Sequence, residues 1–409
     1  MAHLNTNFGL LAAGYLFPEV SRRCNAWQEK HPGVELLKLG IGNTTEALPP
    51  ALVAAMKHKL DLLSDRATYT GYGDEQGDTS LRLALREMYT DRYGVELEET
   101  EFFVSDGAKS DAANIQELFA KDAIVAVADP AYPVYVDSNV VGGRSGVYDK
   151  AIGGYSNFVY LPCNVENGFI PQVPDCHVDL IYLCSPNNPT GAVMTKVQMK
   201  QFVDYARREK AVIIFDGAYS EYISNQELPH TIFEIEGSQE CAIEINSFSK
   251  SAGFTGVRLG WSIVPKALVV EDSVPGQLNG MWNRRQCTFF NGASNIAQAG
   301  GLAALKGEGL AQCQALVGYY LENARIIREG LESVGLVCFG GDNSPYIWAR
   351  TPNEMDSWAF FDYLLDTCHV VVTPGGGFGP SGEHYVRVSS YGHQENVKKA
   401  IASIKEHME

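Results

Sequence analysis

Between residues 100 and 265, short and nearly continuous apolar runs alternate with stretches whose apolar positions recur every three or four residues. The runs lie at 101–105, 124–128, 158–162, 180–184, 212–215 and 242–245, and a further one at 257–264 follows Gly256. Runs of four to eight apolar residues bounded by Asp, Asn, Pro or Gly read as strands buried on both faces. Between them, the turn at Asp106-Gly107-Ala108-Lys109-Ser110 opens a helix to residue 119, and Thr195 opens one to residue 208. Strand and helix in alternation predict an α/β fold with a mostly parallel sheet covered by helices on both faces.

The flanks read differently. A helix is expected over 19–30, then a short strand over 36–43 ending in the turn Gly40-Ile41-Gly42-Asn43. Residues 50–63 form an amphipathic helix. After the loop Tyr69-Thr70-Gly71-Tyr72-Gly73-Asp74-Glu75-Gln76-Gly77, Asp78-Thr79-Ser80 caps another, with Leu81, Leu85 and Met88 on one face. Helices over 292–306 and 310–334 precede an α+β tail: strand 346–350, helix 357–367, strand 385–389, helix 395–407. The expected division is a large ligand-binding domain over 49–300 and a smaller domain over 301–409, joined by the N-terminal segment 1–48.

Composition narrows the function classes. The 409 residues carry a formal net charge of −17, against the basic footprint that nucleic-acid binding needs. Nine cysteines, without a Cys-x-x-Cys pair, fit free thiols in a reducing compartment better than a disulfide framework or a zinc site. The nine histidines show no metal-ligand spacing, so no metal is expected. No apolar run approaches the ~20 residues that span a bilayer, and the N-terminus has no signal-peptide pattern, so a cytoplasmic location is expected. Neither a phosphate-binding G-x-x-x-x-G-K-[ST] loop nor a strand-opening G-x-G-x-x-G is present.

Ligands of parallel sheets bind beyond the carboxyl ends of the strands. Asp106 to Lys109, Tyr132, Asn187, Asp216 to Tyr219 and Ser247 to Lys250 all fall there. Each alone has a plain structural reading: Lys250 as a surface or ion-paired lysine, Asp216 as half of a salt bridge or a helix cap, Tyr132 as packing. Together they suit an aldehyde cofactor bearing a phosphate. Lys250 offers the amine and Asp216 a partner for a pyridine nitrogen. Tyr219 and Asn187 are donors for a phenolic oxygen, and Tyr132 is a ring to stack. Ala108 and Lys109 open a helix, and with Ser247, Ser249 and Arg258 they make an anion site.

Asn187-Asn188-Pro189-Thr190-Gly191, Asp216-x-x-Tyr219, Ser247-x-Ser249-Lys250 and Gly256-x-Arg258-x-Gly260 stand in the order and spacing of the pyridoxal-phosphate aminotransferases of fold type I, which this chain resembles over nearly its whole length. Gly71-Tyr72-Gly73-Asp74-Glu75-Gln76-Gly77, the stretch from Val104 to Asp111, Pro133-Val134-Tyr135-Val136-Asp137-Ser138-Asn139 and the Leu10-x-x-x-Gly14-Tyr15-Leu16-Phe17 segment are similar to the LL-diaminopimelate aminotransferases within it. That resemblance implies a pyridoxal 5'-phosphate cofactor held as a Schiff base by Lys250 and ping-pong half reactions between glutamate and tetrahydrodipicolinate in lysine biosynthesis. Arg387 would grip a substrate α-carboxylate. Tyr15, Gly42, Glu75, Lys109, Tyr132, Asn187 and Asn291 would also contact substrate. Tyr72 and Asn291, with Glu75, would reach a neighbouring subunit's site in a homodimer. Three other readings stay open from the residues: an aminotransferase for aromatic amino acids, alanine or aspartate; an elimination or ring-closing enzyme on the same scaffold; and a ligand-binding regulator.

Overall fold

The structure is a computed structural model and describes residues 1–11 and 16–408. Its centre is a seven-stranded sheet built from β1 (Phe102–Ser105), β2 (Val125–Asp129), β3 (Phe158–Pro162), β4 (Leu180–Cys184), β5 (Val212–Asp216), β6 (Ala242–Ser247) and β7 (Gly260–Ile263), in the spatial order β1-β7-β6-β5-β4-β2-β3. All pairs are parallel except those of β7, which runs antiparallel to both β1 and β6. The α/β class and mostly parallel sheet therefore stand as expected.

Alternation along each strand feeds two cores. Ile181 and Leu183 of β4, and Ile213 and Phe215 of β5, pack on one face with Leu81, Leu85 and Phe202. Leu180, Tyr182, Val212 and Ile214 face the other way, toward Val134, Val140 and Trp282. Both faces are covered, which is why these strands read as continuous apolar runs and not as alternation. The helix Lys196–Glu209 on the first face starts at a capping box: Thr195 N donates to Gln198 Oε1 (2.8 Å) and Gln198 N donates back to Thr195 Oγ1 (3.3 Å).

A second sheet, of β8 (Cys338–Gly340), β9 (Tyr346–Arg350), β10 (Thr373–Pro374) and β11 (Tyr385–Ser389), is antiparallel in the order β8-β9-β11-β10. Its core includes Leu16, Val20 and Trp27 of the helix Leu16–Lys30, with Ile401 and Ile404 of the helix Gln394–Met408. The helix Gly307–Ser333 links the three cores: Cys313 lies in the first, Leu316, Val317 and Tyr320 in the second, and Ala324, Ile327 and Leu331 in the third.

Several expected elements change. The strand expected over 36–43 shrinks to Leu37–Lys38, paired in parallel with Val370–Val371, and the chain beyond Gly40 turns so that Ile41, Gly42 and Asn43 line a cavity. The helix expected to 119 is α-helical only over Ala108–Asn114 and continues as a 3-10 turn at Ile115–Leu118. The helix expected over 292–306 starts at Asn295, because the Ser294 hydroxyl accepts from Ala297 N and caps it there. Among the described residues, no helix is long and apolar enough to cross a membrane and no group of His, Cys, Asp and Glu is placed to hold a metal.

One carboxylate lies wholly inside the fold. Glu244, in the middle of β6, is 0% exposed. It accepts from Tyr89 Oη, Thr231 Oγ1, Ile232 N (3.3 Å) and Asn246 Nδ2 (3.4 Å), and no cation pairs with it among the described residues. Burial outweighs these donors and pushes it up to about 7. A carboxylate whose folded pKa exceeds its unfolded value costs stability as pH rises from ~4.5 to ~7, here by about 3 kcal/mol. Glu244→Gln carries no such titration. The fall in urea midpoint of the parent chain between pH 5 and pH 8 should therefore be smaller in this variant, and equal slopes in both proteins would refute the assignment.

Candidate active site

The carboxyl ends of β1, β2, β5 and β6 open on a cavity of about 360 Å³, closed on the other side by residues of the second sheet. At the end of β5, Asp216 is buried. Tyr135 Oη donates to its Oδ2 (2.7 Å) and Ala218 N to its Oδ1 (3.0 Å), and no cation pairs with it among the described residues. Burial raises its pKa, with the Tyr135 and Ala218 donors opposing. Tyr135 is held in turn by stacking on Tyr182, with ring centroids 5.2 Å apart.

Past the end of β6, the Ser247 hydroxyl accepts from Ser249 N (3.0 Å), and its oxygen lies 2.8 Å from that of Ser249. This caps the one-turn helix Phe248–Ser251, which lifts the Lys250 side chain into the cavity. The Lys250 amine donates to the Gly42 carbonyl and sits 5.0 Å from the centre of the Tyr391 ring. Protein surrounds the amine, and that burial, with the Arg387 and Arg258 guanidiniums, lowers its pKa to about 7. A Cβ on Gly42 would lie 2.8 Å from Tyr346 Oη, so a larger residue there would displace the tyrosine side chain.

At the end of β1, Ser105 Oγ donates to Asp111 (2.7 Å) and accepts from Gly107 N (3.3 Å), which sets the turn into Ala108–Asn114. No side chain caps that helix, and Ala108 and Lys109 line the cavity. Gly107 has φ +126°, and a Cβ on it would strike the Arg258 guanidinium. Arg258 itself stands at φ +70°, a conformation uncommon outside glycine, with Nη1 on Thr255 O (3.1 Å) and Ser249 Oγ (3.4 Å).

From β11, Arg387 is 1% exposed. Its Nη1 donates to Asn188 Oδ1 (2.7 Å) and its Nη2 to Gly40 O (2.9 Å), while its Nε has no partner. The Tyr346 ring lies 4.4 Å from the guanidinium. No carboxylate pairs with Lys250, Arg258 or Arg387 among the described residues, and Asp216 is the one acidic side chain lining the cavity. A chain of net charge −17 thus keeps a cationic pocket.

The cavity gathers Gly42, Ala108, Lys109, Tyr132, Asp216, Tyr219, Ser247, Ser249, Lys250, Arg258 and Arg387 as expected from the sequence. Asn187 requires a correction. Its side chain turns away to Thr190 Oγ1 (2.8 Å), and its neighbour Asn188 faces the cavity instead, with Nδ2 3.5 Å from Tyr219 Oη. Tyr72, Glu75 and Asn291 do not line this cavity, and Tyr72 is 84% exposed. Tyr15 lies outside the described residues. Sequence reasoning assigns no role to Tyr135, Tyr346 or Phe17, which the fold brings in from a helix, β9 and the N-terminal helix.

Pyridoxal phosphate fits this set. The buried Asp216 lacks a cation among the described residues, Gly107 leaves room that a Cβ would take from the Arg258 guanidinium, and Arg258 stands beside the Ser249 hydroxyl. An α/β fold that aims a softened lysine amine, a buried carboxylate and unpaired guanidiniums into one cavity is that of an enzyme acting on amino or keto acids through a carbonyl cofactor. The chain belongs to the family "Aminotransferase class I and II", whose model matches residues 34–404, and membership implies use of pyridoxal phosphate. It is 48% identical over 405 residues, covering 99% of this chain and 100% of the relative, to an LL-diaminopimelate aminotransferase of Agathobacter rectalis. Among solved structures it is similar to the L,L-diaminopimelate aminotransferase of Chlamydomonas reinhardtii, with TM-score 0.94, 46% identity, and coverage of 100% and 99% of the two chains. Substrate-bound BacF from Bacillus subtilis shares the fold at TM-score 0.84 and 25% identity, covering 99% and 98%.

Proposed function

We propose that this chain is an LL-diaminopimelate aminotransferase, moving an amino group between glutamate or 2-oxoglutarate and tetrahydrodipicolinate or LL-2,6-diaminopimelate in lysine biosynthesis. The convergence of the Lys250 amine, Asp216 without a cation and Arg387 without a carboxylate carries the reaction class. The printed names of the two relatives at 48% and 46% identity support the substrate.

When bound, pyridoxal phosphate supplies a carbonyl to receive the amino group and a ring that takes up the electron pair left at Cα. Lys250 Nζ, its pKa lowered to about 7, would take the proton from substrate Cα and deliver it to the cofactor carbon that had carried the carbonyl oxygen. Asp216 would accept from a protonated ring nitrogen, which is the cation partner the carboxylate otherwise lacks. Tyr219 Oη and Asn188 Nδ2 would donate to the phenolic oxygen, Tyr132 would cover the ring, and Ser247, Ser249, Arg258 and the Ala108-Lys109 helix start would hold the phosphate. Arg387 would turn its fork to the α-carboxylate beside the Gly42 backbone. Tyr72 of the partner subunit, Glu75 of the partner subunit and Asn291 of the partner subunit complete the site in a homodimer, which accounts for their distance from the cavity of their own chain.

The deciding assay offers LL- and meso-diaminopimelate with 2-oxoglutarate, with the visible spectrum recorded alongside. Glutamate should form with the LL isomer in preference to the meso. No glutamate from either would move the chain to another aminotransferase specificity.

A further inference from the structure

The Lys250 amine has two neighbours that favour its charged form, and one of them plays no part in the chemistry outlined above. Tyr391 follows β11 and is 2% exposed. Its ring presents a face to Lys250 Nζ, 5.0 Å from the ring centre. A π face attracts a cation at that range. The Tyr391 hydroxyl has a different standing: it is buried and interacts only weakly, with the neighbouring Tyr222 hydroxyl. The Tyr222 hydroxyl nearby donates instead to the Lys250 carbonyl (3.1 Å). The ring is fixed by edge-to-face contacts with Tyr320 (4.9 Å), Tyr346 (6.1 Å) and Tyr222 (6.2 Å). A tyrosine held this firmly, with a hydroxyl that no close hydrogen bond claims, is placed for its ring.

We propose that Tyr391 is a positioning residue whose ring face seats the ε-ammonium of Lys250 whenever that lysine is free, and so sets where the amine titrates. The ring works against Arg387 from β11, Arg258 from the loop before β7, and burial, all of which favour the neutral amine. Asp216, Tyr219 and Tyr346 are the other titratable groups on that side of the cavity. Asp216 stands apart on Tyr135 and Ala218, and burial keeps the three tyrosines, Tyr391 included, neutral.

The proposal rests on Lys250 being the reacting amine, and its test is independent of turnover. The full chain, freed of cofactor, is treated with formaldehyde and cyanoborohydride across a pH series, and methylation of the Lys250 peptide is followed by mass spectrometry. The parent midpoint is expected near 7. Tyr391→Leu should lower it by about half to one pH unit, so that labelling below the midpoint rises ~3- to 10-fold. Tyr391→Phe, which keeps the ring and drops only the hydroxyl, should leave it in place. A ring-fluorinated phenylalanine at position 391 keeps that shape while weakening the π face and should lower the midpoint. This pair decides the matter if the leucine variant fails to fold. An unmoved or raised midpoint with the fluorinated ring overturns the proposal, as does a Phe variant that shifts as far as Leu. A parent chain that titrates as expected yet transfers no amino group would instead overturn the aminotransferase reading.

Discussion

Lys250→Ala is expected to abolish transamination, lowering kcat by ~10⁴-fold or more, because the variant loses both the covalent anchor and the group that moves the Cα proton. The absorbance band of the Schiff base between Lys250 and the cofactor should vanish with it. The fold should persist. The side chain's polar contact is with the Gly42 carbonyl, and the backbone of Phe248–Ser251 is held independently by the Ser247 cap. Removing an amine whose pKa is depressed by burial also removes a cost, so the thermal midpoint should stay level or rise. Measured kcat, spectrum and thermal midpoint together separate a chemical defect from a folding defect. Near-normal turnover in this variant would sink the assignment of Lys250 and, with it, the proposed reaction class.

Arg387 should give the second-largest effect, of a different kind. Its guanidinium is almost fully buried, spends one nitrogen each on Asn188 and Gly40, and meets no carboxylate. Each hydrogen bond to a charged group contributes about 1.5–3 kcal/mol, so losing a forked grip on the substrate carboxylate should cost ~10²- to 10⁴-fold in kcat/KM. Arg387→Ala also strands Asn188 Oδ1, while Gly40 O keeps the Thr373 hydroxyl as donor, and a lower stability is expected beside the kinetic loss. Arg387→Lys keeps the charge but loses the planar fork. It should therefore raise KM for both amino acid and keto acid by ~10²-fold with a smaller loss in kcat. Unchanged KM values in Arg387→Lys would move the carboxylate-binding role elsewhere.

How far the fold was legible depends on whether a segment's burial left a mark on its composition. The strands at 158–162, 180–184, 346–350 and 385–389 stand where the apolar runs place them, because both sheet faces are covered or the run ends at Asn, Pro or Ser. The helix Gln277–Phe289 left no such mark. Its buried face is Leu278, Asn279, Trp282 and Gln286, half of it polar, so the three-to-four-residue rhythm is lost. Asn279 earns its burial through hydrogen bonds to Val264 O and Thr100 O, which no periodicity reveals. The site shows the same limit. Lys250, Asp216 and Arg258 follow from strand ends and spacing. The choice between Asn187 and Asn188 does not, because two identical side chains adjacent in a turn differ only in which way the backbone aims them.

The place of β7 bears on how the chain assembles. Within the sheet β1 has β7 as its one neighbour, and Ser105 is matched to Gly260 about 155 residues downstream, a separation that slows pairing. During synthesis, Phe102, Phe103 and Val104 thus leave the ribosome long before a strand exists to receive them. The Gly107 turn packs directly against Gly260, so one wall of the cavity is built from two segments that lie far apart along the chain and must both be in place before it exists.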